Sequence, residues 1–264
     1  MTFPIELTGK SALVCGASKG IGKATALALA GLGARVTLLA RNASELSSAA
    51  DEINAKYGHG RATPLVADLD NHETLDTIVK NHIATAGTQH IWINNTGGPA
   101  GGALLDAAPS AIASSLSRHV LGSQIILKRV VPGMKAAGYG RIVNVLSTSV
   151  REPIPNLGVS NLTRAAVASW AKTLSRELPP GLTINNVLPG FTATSRLSSL
   201  AEGRAQKSGG TVDDVYTQWT SQVPEGRIAE PMELAYAIAF LASPAASFIR
   251  GATLPVDGGR LKSI

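Results

Sequence analysis

The feature that most constrains this chain is the alternation of short apolar runs with longer stretches of helical periodicity. Six runs have the length and the Val and Ile content of strands: Ser11–Cys15, Arg35–Leu39, Ala62–Val66, His90–Ile93, Arg141–Leu146 and Thr183–Leu188. Apolar residues at helical spacing fill the stretches between them: Ile21–Leu32, Ala43–Tyr57, Asn71–Ala86, Ala107–Ala137 and Asn161–Glu177. Such alternation predicts a parallel sheet with helices on both faces.

One segment departs from this pattern. Residues 194–225 are polar and contain three glycines together with Tyr216 and Trp219. A long, loosely patterned segment is typical either of a mobile lid over a site or of a surface excursion with a short helix, and both interpretations stay open. Helical patterning resumes at Pro231–Leu241 and is followed by a short apolar run, Ala252–Val256. No repeat or linker stands out, so we predict one domain spanning residues 1–264.

Composition excludes several classes of protein. The chain has 44% hydrophobic and 16% charged residues, which is typical of a folded domain rather than a disordered chain or a coiled coil. Its net charge of +6 comes from dispersed Lys and Arg, so we expect no nucleic-acid partner. The most apolar region, Ala24–Ala40, is interrupted by glycines and an arginine, so we expect no membrane span. Neither a signal peptide nor a metal site is expected. With Cys15 as the single cysteine, we expect a cytoplasmic protein.

A glycine-rich turn follows the first predicted strand and precedes the first predicted helix. Its sequence, Gly16-Ala17-Ser18-Lys19-Gly20-Ile21-Gly22, allows the backbone to approach a pyrophosphate closely. The helix amino terminus then offers free N–H groups and the positive end of its dipole. This context predicts a doubly wound Rossmann fold that binds a dinucleotide. The candidate cofactor-binding residues of the turn are Gly16, Ser18, Lys19, Gly20, Ile21 and Gly22.

The end of the second predicted strand distinguishes between the two nicotinamide dinucleotides. It is Leu39-Ala40-Arg41, with no carboxylate to accept a hydrogen bond from the ribose 2′-hydroxyl of NAD. Arg41 and Lys19 are instead suited to hold a 2′-phosphate by charge-assisted hydrogen bonds. The sequence therefore predicts NADP (NADPH) as the cofactor.

These residues resemble the short-chain dehydrogenase/reductase family along nearly the whole chain. The turn is similar to the family's TGxxxGIG, with Cys15 in place of Thr, and four later segments resemble further family motifs: Val66–Leu69, Asn94–Gly97, Pro189–Thr194 and Gly251–Gly259. The last of these resembles the family's tetramer contact, which implies a homotetramer or homodimer. The resemblance also implies further cofactor-binding residues: Asp68, Leu69, Asn95, Gly97, Pro189, Gly190, Thr192 and Thr194.

The catalytic signature of the family is altered. The family has a Ser after the fifth strand and a YxxxK motif whose Tyr follows that Ser by thirteen residues. Ser147 matches the Ser, but Ser160 and Arg164 stand where the resemblance places the Tyr and the Lys. His119 stands where the family usually has an Asn. The resemblance thus implies a catalytic group of Ser147, Ser160, Arg164 and His119.

This alteration bears on proton transfer. In the family, the phenol donates a proton to the substrate carbonyl, while the Lys lowers the phenol pKa and holds the nicotinamide ribose. Serine is a far weaker acid, and arginine is a poor proton shuttle. His119 is either an acid or relay, or a helix residue at a kink. Ser147 and Ser160 either form a two-hydroxyl oxyanion site with water as the proton source, or Ser160 makes room for a bulky substrate.

The resemblance implies an NADP-dependent oxidoreductase similar to 3-oxoacyl-thioester reductases. Such an enzyme reduces a ketone or a 3-oxoacyl-type substrate, or oxidises the matching alcohol, so the expected partner is a small carbonyl compound or acyl thioester. The loss of the Tyr and Lys leaves an alternative, a catalytically silent NADP-binding sensor or oligomer subunit. A dehydratase-like reaction is a third possibility. The segments expected to line the substrate site are Gly97–Gly102, Ile154–Asn156 and residues 194–225.

Overall fold

The computed structural model describes residues 4–263 and shows one α/β domain built on a seven-stranded sheet. The strands are β1 (Ser11–Cys15), β2 (Arg35–Ala40), β3 (Ala62–Val66), β4 (Ile91–Asn94), β5 (Gly140–Val145), β6 (Leu182–Pro189) and β7 (Thr253–Val256). Their order is β3-β2-β1-β4-β5-β6-β7, and every neighbouring pair is parallel. The predicted doubly wound Rossmann fold is confirmed.

Helices cover both faces of this sheet. The α-helices are α1 (Gly20–Gly31), α2 (Ala43–Tyr57), α3 (His72–Ala86), α4 (Pro109–Leu116), α5 (Gly122–Ala136), α6 (Gly158–Glu177), α7 (Ser195–Ser208), α8 (Val212–Thr220) and α9 (Pro231–Ala242). Buried residues of α1, α2 and α9 form one core with the sheet, and those of α3, α5 and α6 form a second core on the opposite face. Among the helices of residues 4–263, none has the length and apolar character that crossing a bilayer requires.

The stretch Ala107–Ala137, whose apolar residues have helical spacing, is not one uninterrupted α-helix. Helix α4 begins at Pro109, and a π-helical turn, Ser117–Leu121, separates it from α5. In this turn the Ser123 hydroxyl donates a hydrogen bond to the His119 carbonyl oxygen at 2.6 Å. A side-chain donor thus reaches a backbone carbonyl within a widened helix, and apolar spacing alone does not report such an event.

The segment 194–225 forms two helices rather than the single short helix of the surface-excursion interpretation. Helices α7 and α8 pack against each other through a small apolar cluster of their own. The Trp219 ring stacks on Phe191, with 5.0 Å between ring centroids. The segment therefore has a core that is separate from those of the sheet and lies beside the end of β6.

A row of buried asparagines crosses the sheet below its carboxyl edge. Asn94 Nδ2 donates to Asn144 Oδ1 at 2.8 Å, and Asn144 Nδ2 donates to Asn186 Oδ1 at 2.9 Å. The row continues at both ends, because Ser123 Oγ lies 3.1 Å from Asn94 Oδ1 and Asn186 Nδ2 donates to Thr253 Oγ1 at 3.1 Å. Buried amides of this kind are stable only while each has its partners.

We expect Asn144→Leu to lower the free energy of unfolding by about 2–4 kcal/mol, since it leaves two buried amides unsatisfied. Urea unfolding followed by circular dichroism measures this. Asn81→Leu, an exposed position on α3, is the control and should change stability by less than about 0.5 kcal/mol. Wild-type stability in Asn144→Leu would show that the row contributes nothing.

Candidate active site

A cleft of about 1330 Å³ opens at the carboxyl ends of the parallel strands. It lies where the strand order reverses, between β1 and β4, because the chain runs outward through β2 and β3 on one side and through β5 and β6 on the other. Connections that leave in opposite directions create a crevice at this point, and open α/β sheets bind ligands there. The position of the site thus follows from the strand order alone.

The glycine-rich turn forms one wall of the cleft. Gly16 and Gly20 both have φ of +58°, a left-handed conformation that favours glycine. A Cβ on Gly22 would lie 2.1 Å from the Gly16 carbonyl oxygen, so only glycine permits this approach of helix and turn. Asn95 Nδ2 donates to the carbonyl oxygens of Cys15 and Gly16 at 3.2 and 3.3 Å, which fixes the turn against β4.

The amino terminus of α1 is free to bind an anion. Its N-cap residue, Lys19, makes no side-chain capping hydrogen bond, and the first turn carries no acidic residue. The first N–H groups of a helix have no intrahelical partner, and the dipole adds positive potential there. Since this terminus lines the cleft, it meets the requirements of a pyrophosphate site.

Lys19 and Arg41 both line the cleft, as expected, but each lies beside a carboxylate. Lys19 Nζ is 3.5 Å from Glu45 Oε1, and Arg41 Nη1 is 4.0 Å from Asp68 Oδ2. Glu45 also accepts a hydrogen bond from the Ser18 hydroxyl at 3.1 Å. Both ion pairs are exposed and therefore weak, so either cation is available to a phosphate. Sequence analysis missed Glu45, because it lies in the first turn of α2 rather than at the end of β2.

Most of the predicted site residues lie together in this cleft. Those that line it are Gly16, Ser18, Lys19, Gly20, Ile21, Arg41, Asp68, Leu69, Asn95, Gly97, Ser147, Ser160, Arg164, Pro189, Gly190, Thr192 and Thr194. Gly22 and His119 do not line it. Gly22 packs against the glycine-rich turn, and His119 is buried behind the cleft wall.

Two serines of the predicted catalytic group, Ser147 and Ser160, line the cleft. Ser147 lies two residues after the end of β5 and caps a 3₁₀ turn, Thr148–Val150, by accepting a hydrogen bond from the Ser149 N–H at 3.1 Å. Ser160 lies in the first turn of α6, one helical turn before Arg164 on the same face. Among residues 4–263, no tyrosine side chain lines the cleft. The phenol of the usual family signature therefore has no replacement from elsewhere in this part of the chain.

Arg164 is a buried cation, with 8% of its surface exposed. Nη1 donates to the Val145 carbonyl oxygen at 2.8 Å and Nη2 to the Thr96 carbonyl oxygen at 3.0 Å, so the ends of β5 and β4 hold it. Burial, followed by the nearby charge of Arg196, lowers the pKa of Arg164 to about 10. Among residues 4–263 no carboxylate pairs with it.

His119 lies in the π-helical turn and is neutral. Burial is the main cause that lowers its pKa to about 2, the positive charges of Arg164 and Arg118 lower it further, and the Gly97 backbone acts in the opposite direction. Its Nε2 has no hydrogen-bond partner among residues 4–263. At neutral pH the ring is therefore not an imidazolium that could act as an acid. His119 also does not line the cleft.

Arg196 is a cleft residue that sequence analysis missed. It lies in the first turn of α7, within the segment 194–225, and its Nη2 donates to the Pro99 carbonyl oxygen. This contact joins the segment to the Gly97–Gly102 run across the mouth of the cleft. Nothing in the sequence distinguishes Arg196 from the other arginines, because its position in the cleft depends on the packing of α7 against the Gly97–Gly102 run.

Comparison with known proteins agrees with this arrangement. A family model described as enoyl-(acyl carrier protein) reductase matches residues 16–260. The chain belongs to the short-chain dehydrogenase/reductase family. Among its relatives, the NADPH-dependent reductase BacG of Bacillus subtilis (strain 168) is 30% identical over 98% of this chain and 100% of its own. The 3-oxoacyl-[acyl-carrier-protein] reductase FabG of Vibrio cholerae is 34% identical over 97% of this chain and 98% of its own.

A solved structure extends the likeness to three dimensions. The L-sorbose reductase of Gluconobacter frateurii, complexed with NADPH and L-sorbose, superimposes with a TM-score of 0.92. It is 29% identical, and the match covers 99% of this chain and 100% of that one. This member of the short-chain dehydrogenase/reductase family therefore shares its overall fold with a reductase of known structure.

The buried, neutral His119 predicts a pH dependence of stability. Because the folded pKa is far below that of an unfolded imidazole, the unfolded state binds the proton first as pH falls. Stability attributable to His119 is therefore complete above pH ~6.5 and decreases below it, by about 1.4 kcal/mol per pH unit. Between pH 7 and 5, wild type should lose about 2 kcal/mol more than His119→Asn, which cannot titrate.

Urea unfolding of both proteins at the two pH values measures this difference, and the remaining histidines contribute equally to each. Equal losses in wild type and His119→Asn would show that the imidazole is accessible to protons in the folded state.

Proposed function

We propose that the protein is an NADP-dependent reductase that transfers hydride between NADPH and the carbonyl carbon of a ketone or 3-oxoacyl-type substrate, or in reverse from the matching alcohol. The observation that carries this proposal is the meeting, in one cleft, of a free α1 terminus, two serine hydroxyls and a buried guanidinium. The NADPH-dependent reductase BacG and the sorbose reductase complexed with NADPH support it.

The residues present fit NADP. The free N–H groups of the α1 terminus suit the pyrophosphate, and Lys19 and Arg41 suit the 2′-phosphate. Asp68 and Leu69 line the adenosine end of the cleft, and Asn95 holds the turn in position. We assign the nicotinamide end to four residues that follow β6: Pro189, Gly190, Thr192 and Thr194.

The reactive end of the cleft has donors for a developing oxyanion. When bound, NADPH supplies the hydride. Ser147 and Ser160 donate hydrogen bonds to the substrate carbonyl oxygen, and Arg164 adds positive charge and N–H donors for ribose hydroxyls. Water that reaches the cleft supplies the proton, because His119 is neutral and lies outside it. We therefore favour the two-hydroxyl site over His119 as the replacement for the missing phenol.

We also propose that α7 and α8 form the substrate lid and that the protein self-associates. Leu197, Leu200 and Trp219 of this segment line the cleft, which supports the lid. Tyr236 and Phe248 are large apolar side chains with 65% and 102% of their surface exposed, on α9 and before β7. Exposed apolar groups there suit a dimer or tetramer contact through the carboxy-terminal strand.

Cofactor choice is tested by removing the two cations. Lys19→Ala with Arg41→Ala should weaken NADPH binding by about 100-fold and leave NADH binding within about 3-fold of wild type, because only the 2′-phosphate loses charge-assisted bonds. Fluorescence titration with both cofactors measures this. Lys23→Ala, which removes a cation of α1 paired with Glu52 outside the cleft, is the control. A wild type that prefers NADH would contradict the assignment.

Turnover is tested by NADPH oxidation with a panel of ketones, 3-oxo acids and 3-oxoacyl thioesters. Ser147→Ala and Ser160→Ala should each lower kcat by about 100- to 1000-fold with unchanged NADPH affinity, since each removes one oxyanion donor. Ser169→Ala, at an exposed position on α6, should behave as wild type. Tight NADPH binding without turnover of any substrate would favour the alternative, a silent NADP-binding sensor or oligomer subunit.

A further inference from the structure

Arg164 has hydrogen-bonding capacity that the protein leaves unused. A guanidinium carries five N–H groups, and two of those of Arg164 are donated to the carbonyl oxygens of Val145 and Thr96. Carbonyl oxygens satisfy hydrogen bonds but do not neutralise the charge. A buried charge without an opposite partner is unfavourable, and this one lines the cleft. Such a group is suited to receive an anion from the ligand.

A second guanidinium approaches from the opposite wall. A Cβ built on Gly98 would lie 3.6 Å from Arg196 Nη2 and 3.8 Å from Arg164 Nη2, so both nitrogens flank one small space beside Gly98. A carboxylate has two oxygens, each able to accept bonds of about 2.9 Å, so one carboxylate can bridge the two groups. The repulsion between the cations, which contributes to the lowered pKa of Arg164, would then be relieved.

The charged residues that line the cleft favour an anion at the end lined by Arg164 and Arg196, which we call the inner end. The acidic residues that line the cleft are Glu45 and Asp68, and both lie beside the cations of the adenosine end. None is paired with Arg164 or Arg196 among residues 4–263. The first turn of α7 carries no acidic residue either, so its dipole adds to the positive potential.

We propose that Arg164 and Arg196 bind a carboxylate of the substrate, which is therefore an oxo acid or the corresponding hydroxy acid. This inference rests on the proposed reductase function. Arg164 lies one helical turn from Ser160, which the proposed function places at the reacting carbonyl. The carboxylate is therefore expected a few bonds from the carbonyl carbon. The phosphate of a carrier-bound acyl thioester lies many bonds further away, and this favours a carboxylate over a phosphate.

The test compares each acid with its methyl ester, using acetoacetate and pyruvate against methyl acetoacetate and methyl pyruvate with NADPH. We expect wild type to favour the acid by about 100-fold or more in kcat/KM, and Arg196→Met to reduce that preference to below about 10-fold, mainly through KM. Arg204→Met removes a cation from the same helix and cleft, and it should keep the acid preference. An ester or thioester used as well as the acid, or an equal loss in Arg204→Met, would overturn the proposal.

A binding measurement separates this inference from turnover. Calorimetry of the protein saturated with NADP⁺ should show hexanoate binding at least about 10-fold more tightly than hexanamide, with the difference lost in Arg196→Met and kept in Arg204→Met. Absence of turnover together with this result would contradict the reductase function and still support the anion site. Equal affinity for hexanoate and hexanamide would refute the anion site, whether or not ketones are reduced.

Discussion

The reversal of strand order between β1 and β4 is the constraint on which the rest of the structure depends. It makes the connections after the two strands diverge, so that their carboxyl ends border an open crevice. The glycine-rich turn follows β1, Thr96 follows β4 and Ser147 follows β5, and each reaches the crevice for this reason. The asparagine row across β4, β5 and β6 then fixes these strand ends relative to one another.

The chemistry of the site depends on how the protein tolerates a buried arginine. Arg164 is fixed by the carbonyl oxygens of Val145, at the end of β5, and Thr96, just after β4, which orient the guanidinium without neutralising its charge. The same positive charge helps to keep the neighbouring His119 neutral. Two of the three departures from the usual family residues, Arg164 and His119, are therefore coupled, because the charge of Arg164 adds to the effect of burial that keeps His119 neutral. Under the proposed function, hydroxyl donors and water therefore perform proton transfer.

The sequence predicted the sheet, its helical layers and most of the cleft, because these depend on periodicity and on glycines whose neighbours are local. It did not predict the π-helical turn, since a hydrogen bond from Ser123 to a backbone carbonyl leaves the apolar spacing almost unchanged. Glu45 and Arg196 were missed for another reason. Their significance comes from contacts with Ser18 and Pro99, which lie 27 and 97 residues away and meet only in the folded chain.

The contact between Arg196 and the Pro99 carbonyl also bears on the order in which molecules enter and leave. It joins α7 to the Gly97–Gly102 run above the inner end of the cleft, while the dinucleotide must extend along the floor from α1 to that same end. If the cleft binds a dinucleotide and a small acid as proposed, the long dinucleotide needs the Arg196–Pro99 contact open, whereas the acid needs only the space beside Gly98. The proposal thus implies that the nucleotide binds first and leaves last.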